Sequence, residues 1–348
     1  MHLWGRDYTR DALLRRVGRL AQVGGVDAAV LDDGPERSVR ALHFTGAAGL
    51  SCTVLPDRGM DISALAWHGI PLSWLNNVGR PAPGLALETD AGFPRSFIGG
   101  MLTTCGLTNF GPGGEEGGEQ LSMHGPATYL PASQVAWGER WEGDRCILFA
   151  RGITRQARLF GEDLTLRREL SMDLDGATLT VEDVVKNEGW ASSPHMILYH
   201  CNIGFPLLDD GAQLHGHFAS LTPRDAEAAR GLAGFAHVEE PQAGFKEQVF
   251  ITEPEADDAG MRQVTLWNPL LAGGLGLRLR WDAETLPWMF AWRQFGEGAY
   301  VLGLEPANCP VITGRADARA NGTLPFLAPQ EERRYRLRFT VITEPNFS

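Results

Sequence analysis

The chain is poor in positive charge. Its 348 residues carry 31 lysines and arginines against 43 aspartates and glutamates, a formal net charge of -12. Only Lys186 and Lys246 are lysines. That balance excludes nucleic acid as a main partner, because phosphate binding needs a basic footprint. It also argues against an anionic membrane surface. No stretch approaches about eighteen uninterrupted apolar residues, so no helical membrane span is expected. Met1 to Leu20 holds five arginines and no long apolar run, which is not the pattern of a signal peptide. Cysteine is scarce: Cys52, Cys105, Cys146, Cys201 and Cys309 are far apart, odd in number and never form CxxC. They read as reduced, buried thiols of a cytoplasmic protein. HExxH, the P-loop and GxSxG are missing, and no GxGxxG follows a strand. His215-Gly216-His217 is too weak a pair to mark a metal site. Neither a metal nor a cofactor is expected, and a neutral small molecule is the ligand easiest to reconcile with the acidity.

Glycine, by contrast, is plentiful at 42, with 21 prolines spread along the chain, and hydrophobic residues at 43 % are enough for a sizeable core. Frequent turns between short strands follow. Alternation of polar and apolar residues predicts strands over 38–45, 50–55, 145–150, 275–281 and 334–341. The Asp175-Gly176 turn predicts a hairpin between 164–170 and 178–185. One helix is predicted over 8–17, capped by Thr9 or Asp11, and a second from Pro223, capped by Thr222. The glycine- and glutamate-rich run 111–119 reads as a mobile acidic loop. With no regular alternation of strand and helix and no repeat, the expected architecture is all-β: a sandwich of antiparallel sheets over 25–348 after a helical segment 1–24, forming one domain.

Three segments place chemistry-bearing residues in unusual company. His124, in Leu121-Ser122-Met123-His124-Gly125, follows the glycine-rich run. It is either a surface loop histidine or one that reaches a cleft. In Leu198-Tyr199-His200-Cys201-Asn202, strand alternation puts His200 and Asn202 on one face and Tyr199 and Cys201 on the other. Buried polar groups without partners cost about 1–3 kcal/mol each, so this pair is either a satisfied core feature or part of a site. Glu305, in Val301-Leu302-Gly303-Leu304-Glu305-Pro306, ends an apolar strand. It either pairs with an arginine or sits where its pKa is tuned. Arg58, in Pro56-Asp57-Arg58-Gly59-Met60-Asp61, is the candidate cation for it or for a ligand hydroxyl. Trp292, Arg293 and Gln294 lie shortly before Glu305 and are candidate cleft-wall residues. Trp74, Trp267 and Trp288 are further candidates for a stacking platform, although most tryptophans belong in packing.

The order and spacing of these segments resemble the galactose mutarotase-like superfamily. Asp183-Val184-Val185-Lys186-Asn187 followed by Tyr199-His200-Cys201-Asn202-Ile203-Gly204-Phe205 resembles its asparagine and "NHxYFNL" segments. Leu121 to Gly125 resembles its "LHG" motif, and Leu302-Gly303-Leu304-Glu305-Pro306 its late glutamate motif. Pro56 to Ile62 is characteristic of a closer branch, the bacterial "aldose 1-epimerase family". The resemblance spans about residues 25 to 345. It implies an extended antiparallel β-sandwich that binds a sugar substrate as a monomer or homodimer. It further implies His200 as general acid, Glu305 as general base, and His124 and Arg58 as substrate-binding residues; Asp61, Asn202, Trp292 and Gln294 are expected to bind substrate beside them. Opening an aldopyranose ring requires a proton taken from the anomeric hydroxyl and one given to the ring oxygen. A carboxylate and an imidazole on opposite sides of the sugar are expected to do this with no cofactor. The sequence departs from the superfamily pattern at Tyr199, where asparagine is usual, and at Gly204-Phe205-Pro206. A lyase or keto-sugar isomerase on the same fold, or a non-catalytic sugar sensor, are the alternatives.

Overall fold

A computed structural model describes residues 1–85 and 92–347. Strands dominate it, and they assemble into three large antiparallel sheets. The eight-stranded sheet runs, in spatial order, Ser133–Glu142, Arg145–Ala157, Asp163–Asp173, Thr178–Asn187, Glu332–Ile342, Leu275–Asp282, Met261–Asn268 and Gln213–His215. The six-stranded sheet runs Phe218–Pro223, Gln248–Pro254, Trp288–Gly296, Ala299–Ala307, Leu198–Gly204 and Thr103–Cys105. A five-stranded sheet covers Gly25–Val30, Arg40–Thr45, Leu50–Leu55, Asp61–Trp67 and Ile70–Pro71. Among the described residues, no helix is long and apolar enough to cross a membrane.

Inward-facing residues of all three sheets meet in one core. Leu42 and Val54, Val181 and Leu337, and Tyr199 and Leu304 belong to the same buried cluster. Alternation explains the choice of residues. On Thr178–Asn187, Leu179, Val181, Asp183, Val185 and Asn187 are buried while their neighbours are wetter. The Asp175-Gly176 turn forms the expected hairpin, with Leu170 opposite Val181. The final strand, Glu332–Ile342, lies inside the large sheet, between Thr178–Asn187 and Leu275–Asp282. All five cysteines are free and buried.

Asp183 is a charge at a core position, and it is balanced. Its register partner Arg168 donates to both of its oxygens, at 2.8 and 2.7 Å. The same guanidinium reaches Asp61 of the five-stranded sheet at 3.2 Å and Thr104 of the six-stranded sheet at 2.9 Å. The Tyr199 hydroxyl donates to Asp183 at 2.8 Å. Thr104 donates its hydroxyl and its backbone N–H to Asp61. One buried ionic network thus joins all three sheets.

Several local expectations change. The second helix starts later than expected, at Ala226, because Pro223 closes a strand. Asp225, not Thr222, accepts the N–H groups of Glu227 and Ala228. The segment 1–24 begins with a small hairpin of His2–Leu3 and Arg6–Asp7 and is helical only at Arg10–Leu14 and Leu20–Gln22. Thr9 caps the first of these. The acidic run is no free loop: Gly114–Glu116 pairs with Glu119–Leu121. Arg319 donates to Glu116 at 2.6 Å, and Arg315 clamps Glu116 and Glu119 together.

Removing one partner from a buried ionic group leaves the others uncompensated. Arg168→Met should therefore destabilise the protein by about 3–5 kcal/mol, read as a lower denaturation midpoint in urea. An unchanged midpoint would mean that the two aspartates find other partners.

Candidate active site

The outward face of the six-stranded sheet carries a cleft of about 740 Å³. Its floor is set by strand register. Leu198 faces Ala307 and Cys201 faces Leu304, which sets His200 opposite Glu305. Tyr199, Cys201 and Ile203 point into the core, so the intervening His200 and Asn202 point outward, as alternation requires. Trp292 pairs with Gly303 and Gln294 with Val301, which brings both onto the cleft wall.

His200 and Glu305 are 5 % and 3 % exposed, and Nε2 of the histidine lies 3.3 Å from Oε1 of the glutamate. The angles are not those of a hydrogen bond. Oε1 of Glu305, Nδ1 of His200, Oδ1 of Asn202 and Oε1 of Gln294 are all buried without a partner. Most other such atoms among the described residues are Nε atoms of arginines bonded through their remaining nitrogens. The floor of this cleft is therefore where the fold leaves polar atoms open, at about 1–3 kcal/mol each.

Aromatic rings surround the pair. Phe97 lies 5.0 Å and Trp292 5.4 Å from the His200 ring, centroid to centroid. Trp74 closes the triangle at 6.1 Å from Phe97 and 6.2 Å from Trp292. His124 stands 5.9 Å from His200 and packs on Phe93. Its backbone is in the left-handed region, φ 58°, held by hydrogen bonds to Gly111 and Gly106. Glycine is required next to it, since a Cβ on Gly125 would come within 2.3 Å of the Gly106 carbonyl. The Gly111 N–H points at Nδ1 of His124, 3.4 Å away. That donor keeps the ring proton on Nε2, which is left to donate. A second glycine, Gly303, makes room for the acid: a Cβ there would meet Oε1 of Glu305 at 2.6 Å.

Burial sets the protonation of the pair. It pushes the Glu305 carboxyl well above the usual range, with the Glu247 carboxylate adding to the effect and Arg224 opposing it. It holds the His200 imidazole well below its usual value, helped by neighbouring His124 and opposed by the Asn202 amide. The His124 ring is pushed down to about 4 by desolvation. Burial thus favours the neutral form of both members of the central pair.

Residues 36–341 match the family described as Domain of unknown function (DUF4432). The chain belongs to that family. Among solved structures, a protein of Klebsiella pneumoniae provisionally described as an aldose 1-epimerase matches this DUF4432 chain with a TM-score of 0.86. The identity is 24 %, over 92 % of this chain and 83 % of that one. A galactose mutarotase-like protein of Clostridium acetobutylicum gives 0.63 at 12 % identity, over 92 % of this chain and 98 % of that one. A galactose 1-epimerase of Lactobacillus acidophilus gives 0.53 at 13 %, over 91 % and 98 %. No curated protein matches the chain. At these identities the likeness is one of fold, and the fold of the DUF4432 chain is the galactose mutarotase-like β-sandwich.

Of the residues singled out in the sequence, the structure brings His124, His200, Trp292, Gln294 and Glu305 to one cleft, with Trp74. Asn202 is fully buried beside them and donates to the His200 carbonyl at 2.9 Å. Arg58 and Asp61 are not cleft residues. Arg58 is fully buried, donates to the carbonyls of Pro81 and Ser96 at 2.6 and 2.8 Å, and lies over the Tyr129 ring. It braces the turn that carries Phe93 and Phe97 instead of meeting a ligand or Glu305. Asp61 is held in the Arg168 network. Trp267 packs in the sandwich away from the cleft.

Sequence reasoning missed Phe93, Phe97, Asn76, Arg224 and Glu247, which also line the cleft. Arg224 donates to Asp225 and to Glu247, and the Trp292 indole donates to Glu247 at 3.0 Å. Pro223-Arg224-Asp225 had the look of a helix start, and that masked the arginine. No group of three metal-ligating side chains is found among the described residues.

The charge on Glu247 raises the Glu305 carboxyl. In ¹³C NMR with labelled glutamate, the Glu305 carboxyl carbon should titrate above the usual value of about 4.3. Glu247→Gln should move that midpoint downward. A midpoint at the usual value in the wild type would contradict the burial argument.

Proposed function

We propose that the chain is an aldose 1-epimerase, interconverting the α and β anomers of a sugar by acid–base ring opening. The observation that carries this reading is the buried His200–Glu305 pair, hydrogen-bond-poor and side by side on the floor of an aromatic cleft. The fold of the neighbours supports it. A pyranose offers apolar C–H faces to Trp74, Phe97 and Trp292 and hydroxyls to Nε2 of His124, Gln294 and Asn76.

The geometry fits a hemiacetal carbon better than the expected arrangement on opposite sides. The anomeric hydroxyl and the ring oxygen are bonded to the same carbon, so adjacent acid and base reach both. Passing the carboxyl proton to the imidazole leaves the proton count of the pair unchanged. From the resulting carboxylate–imidazolium form Glu305 takes the proton from the anomeric hydroxyl while His200 delivers one to the ring oxygen, and the C1–O5 bond breaks. After rotation about C1–C2, the reverse transfers close the other anomer. Each group is worth about 10²–10⁴-fold. No lysine or tyrosine lines the cleft among the described residues, which gives lyase chemistry little support.

Proton NMR of freshly dissolved α-aldoses should show accelerated approach to the anomeric equilibrium. His200→Ala and Glu305→Gln should each lower kcat by about 10²–10⁴-fold. The kcat/KM profile should be bell-shaped. Activity falls at low pH when His200 protonates beside a neutral Glu305, at a pH below the usual histidine value of about 6.5. It falls at high pH when Glu305 ionises beside neutral His200, at a pH above the usual glutamate value of about 4.3. Absence of acceleration for every aldose, or full activity in Glu305→Gln, would sink the assignment.

A further inference from the structure

Four arginines are almost fully buried among the described residues: Arg58, Arg168, Arg293 and Arg315. Arg168 and Arg315 each carry two carboxylates. Arg58 makes short bonds to two carbonyls in a closed core. Arg293 is different. It is 3 % exposed and, among the described residues, has no carboxylate within ion-pair distance. Its acceptors are distant: the Gly231 carbonyl and Gln248 at 3.3 Å, and the His237 carbonyl at 3.2 Å. A guanidinium has five N–H donors, so donors are left over, and the buried Nε is one of them. A buried cation with no carboxylate in direct contact is a high-cost feature, offset here by the Phe295 ring 4.7 Å from the guanidinium carbon and by the more distant charge of Glu239.

Arg293 also faces open space. It lines a cavity of about 410 Å³ with Lys246, Arg230, Gln242, Gln248 and Glu239. Arg230 is neutralised by Glu227. Lys246 is exposed and forms no ion pair among the described residues. Glu239 is the carboxylate whose charge stabilises the Arg293 cation, and it accepts from Gln242. Cations thus outnumber carboxylates in the cavity lining, Arg230, Lys246 and Arg293 against Glu227 and Glu239, in a chain of net charge -12. The cavity lies behind the cleft: residues 293 and 248 point away from it on the two strands that present Trp292 and Val249 to it.

We infer that this cavity is a second binding site, for a compact oxyanion such as the phosphate or carboxylate group of a metabolite, held by Arg293 and Lys246. The planar guanidinium suits paired oxygens, and the mobile ammonium closes the ligand from the solvent side.

Isothermal titration of the whole protein with inorganic phosphate, and in parallel with citrate, at matched ionic strength tests this. Saturable one-to-one binding of one of these anions is expected. Lys246→Gln and Arg293→Lys should each weaken it by about tenfold or more, the loss of one charge-assisted contact. Lys246 is exposed, so its variant folds even if the Arg293 variant does not. Binding of neither anion to the wild type, or equal binding to the wild type and Lys246→Gln, would overturn the inference.

Discussion

The Arg168 guanidinium is the constraint on which the site depends. It stands where three sheets meet, and each supplies it a partner: Asp183, Asp61 and Thr104. Tyr199 adds its hydroxyl to the same carboxylate from the strand that bears His200. Sheet-to-sheet packing through leucines and valines tolerates sliding, because dispersion is not directional. Bidentate bonds to a carboxylate tolerate much less. The network therefore fixes the height and register of the histidine strand against the rest of the sandwich. Thr103 and Thr104 pair with His200 and Tyr199, so the same anchoring extends to the strand on its other side.

The two faces of that strand are treated in opposite ways. On the inner face the one polar side chain, Tyr199, is bonded within the ionic network. On the outer face His200 and Asn202 keep buried polar atoms open, and so does Glu305 across the register. A fold that satisfies an arginine in its centre with several acceptors does not leave neighbouring polar atoms open for want of partners. Open atoms in a cleft are ones whose hydrogen bonding a ligand or solvent can complete. The aromatic walls strengthen this, because low dielectric makes each such bond count for more.

The sequence made the cleft floor legible and the anchoring illegible, for one reason. Alternation along 198–204 tells which side chains share a face, and that was enough to set His200 and Asn202 together. The pairing with Glu305 came from family resemblance. Alternation does not tell which face is lined by water, by core or by another sheet. Arg58 and Asp61 stand in a short polar segment around Gly59 with the look of a loop that meets a ligand, yet both are fully buried and bonded to the protein itself. Burying them required Ser96, Pro81, Arg168 and Thr104, residues that lie far from them in the chain. Glu247 was invisible for the converse reason. It is an exposed acid in a polar stretch, and only the Arg224 guanidinium and the Trp292 indole, both remote in the chain, give it a place.

In the proposed reaction, the adjacency of the pair makes the labels acid and base interchangeable. A neutral carboxyl beside a neutral imidazole holds the same number of protons as a carboxylate beside an imidazolium. Burial favours the first form, because it penalises both charges. From that form the carboxyl donates to one oxygen of the hemiacetal while the imidazole accepts from the other, and the charged form results once the ring has opened. Closing the ring on the other face returns the first form. Starting from the charged form, the same cycle runs with the roles exchanged. Since the two anomers differ only in the configuration of C1, a catalyst that must pass both ways gains from a pair with two forms of equal proton count. With the pair at 3.3 Å, both forms hold the same number of protons, so ring closure on either face needs no proton from solvent.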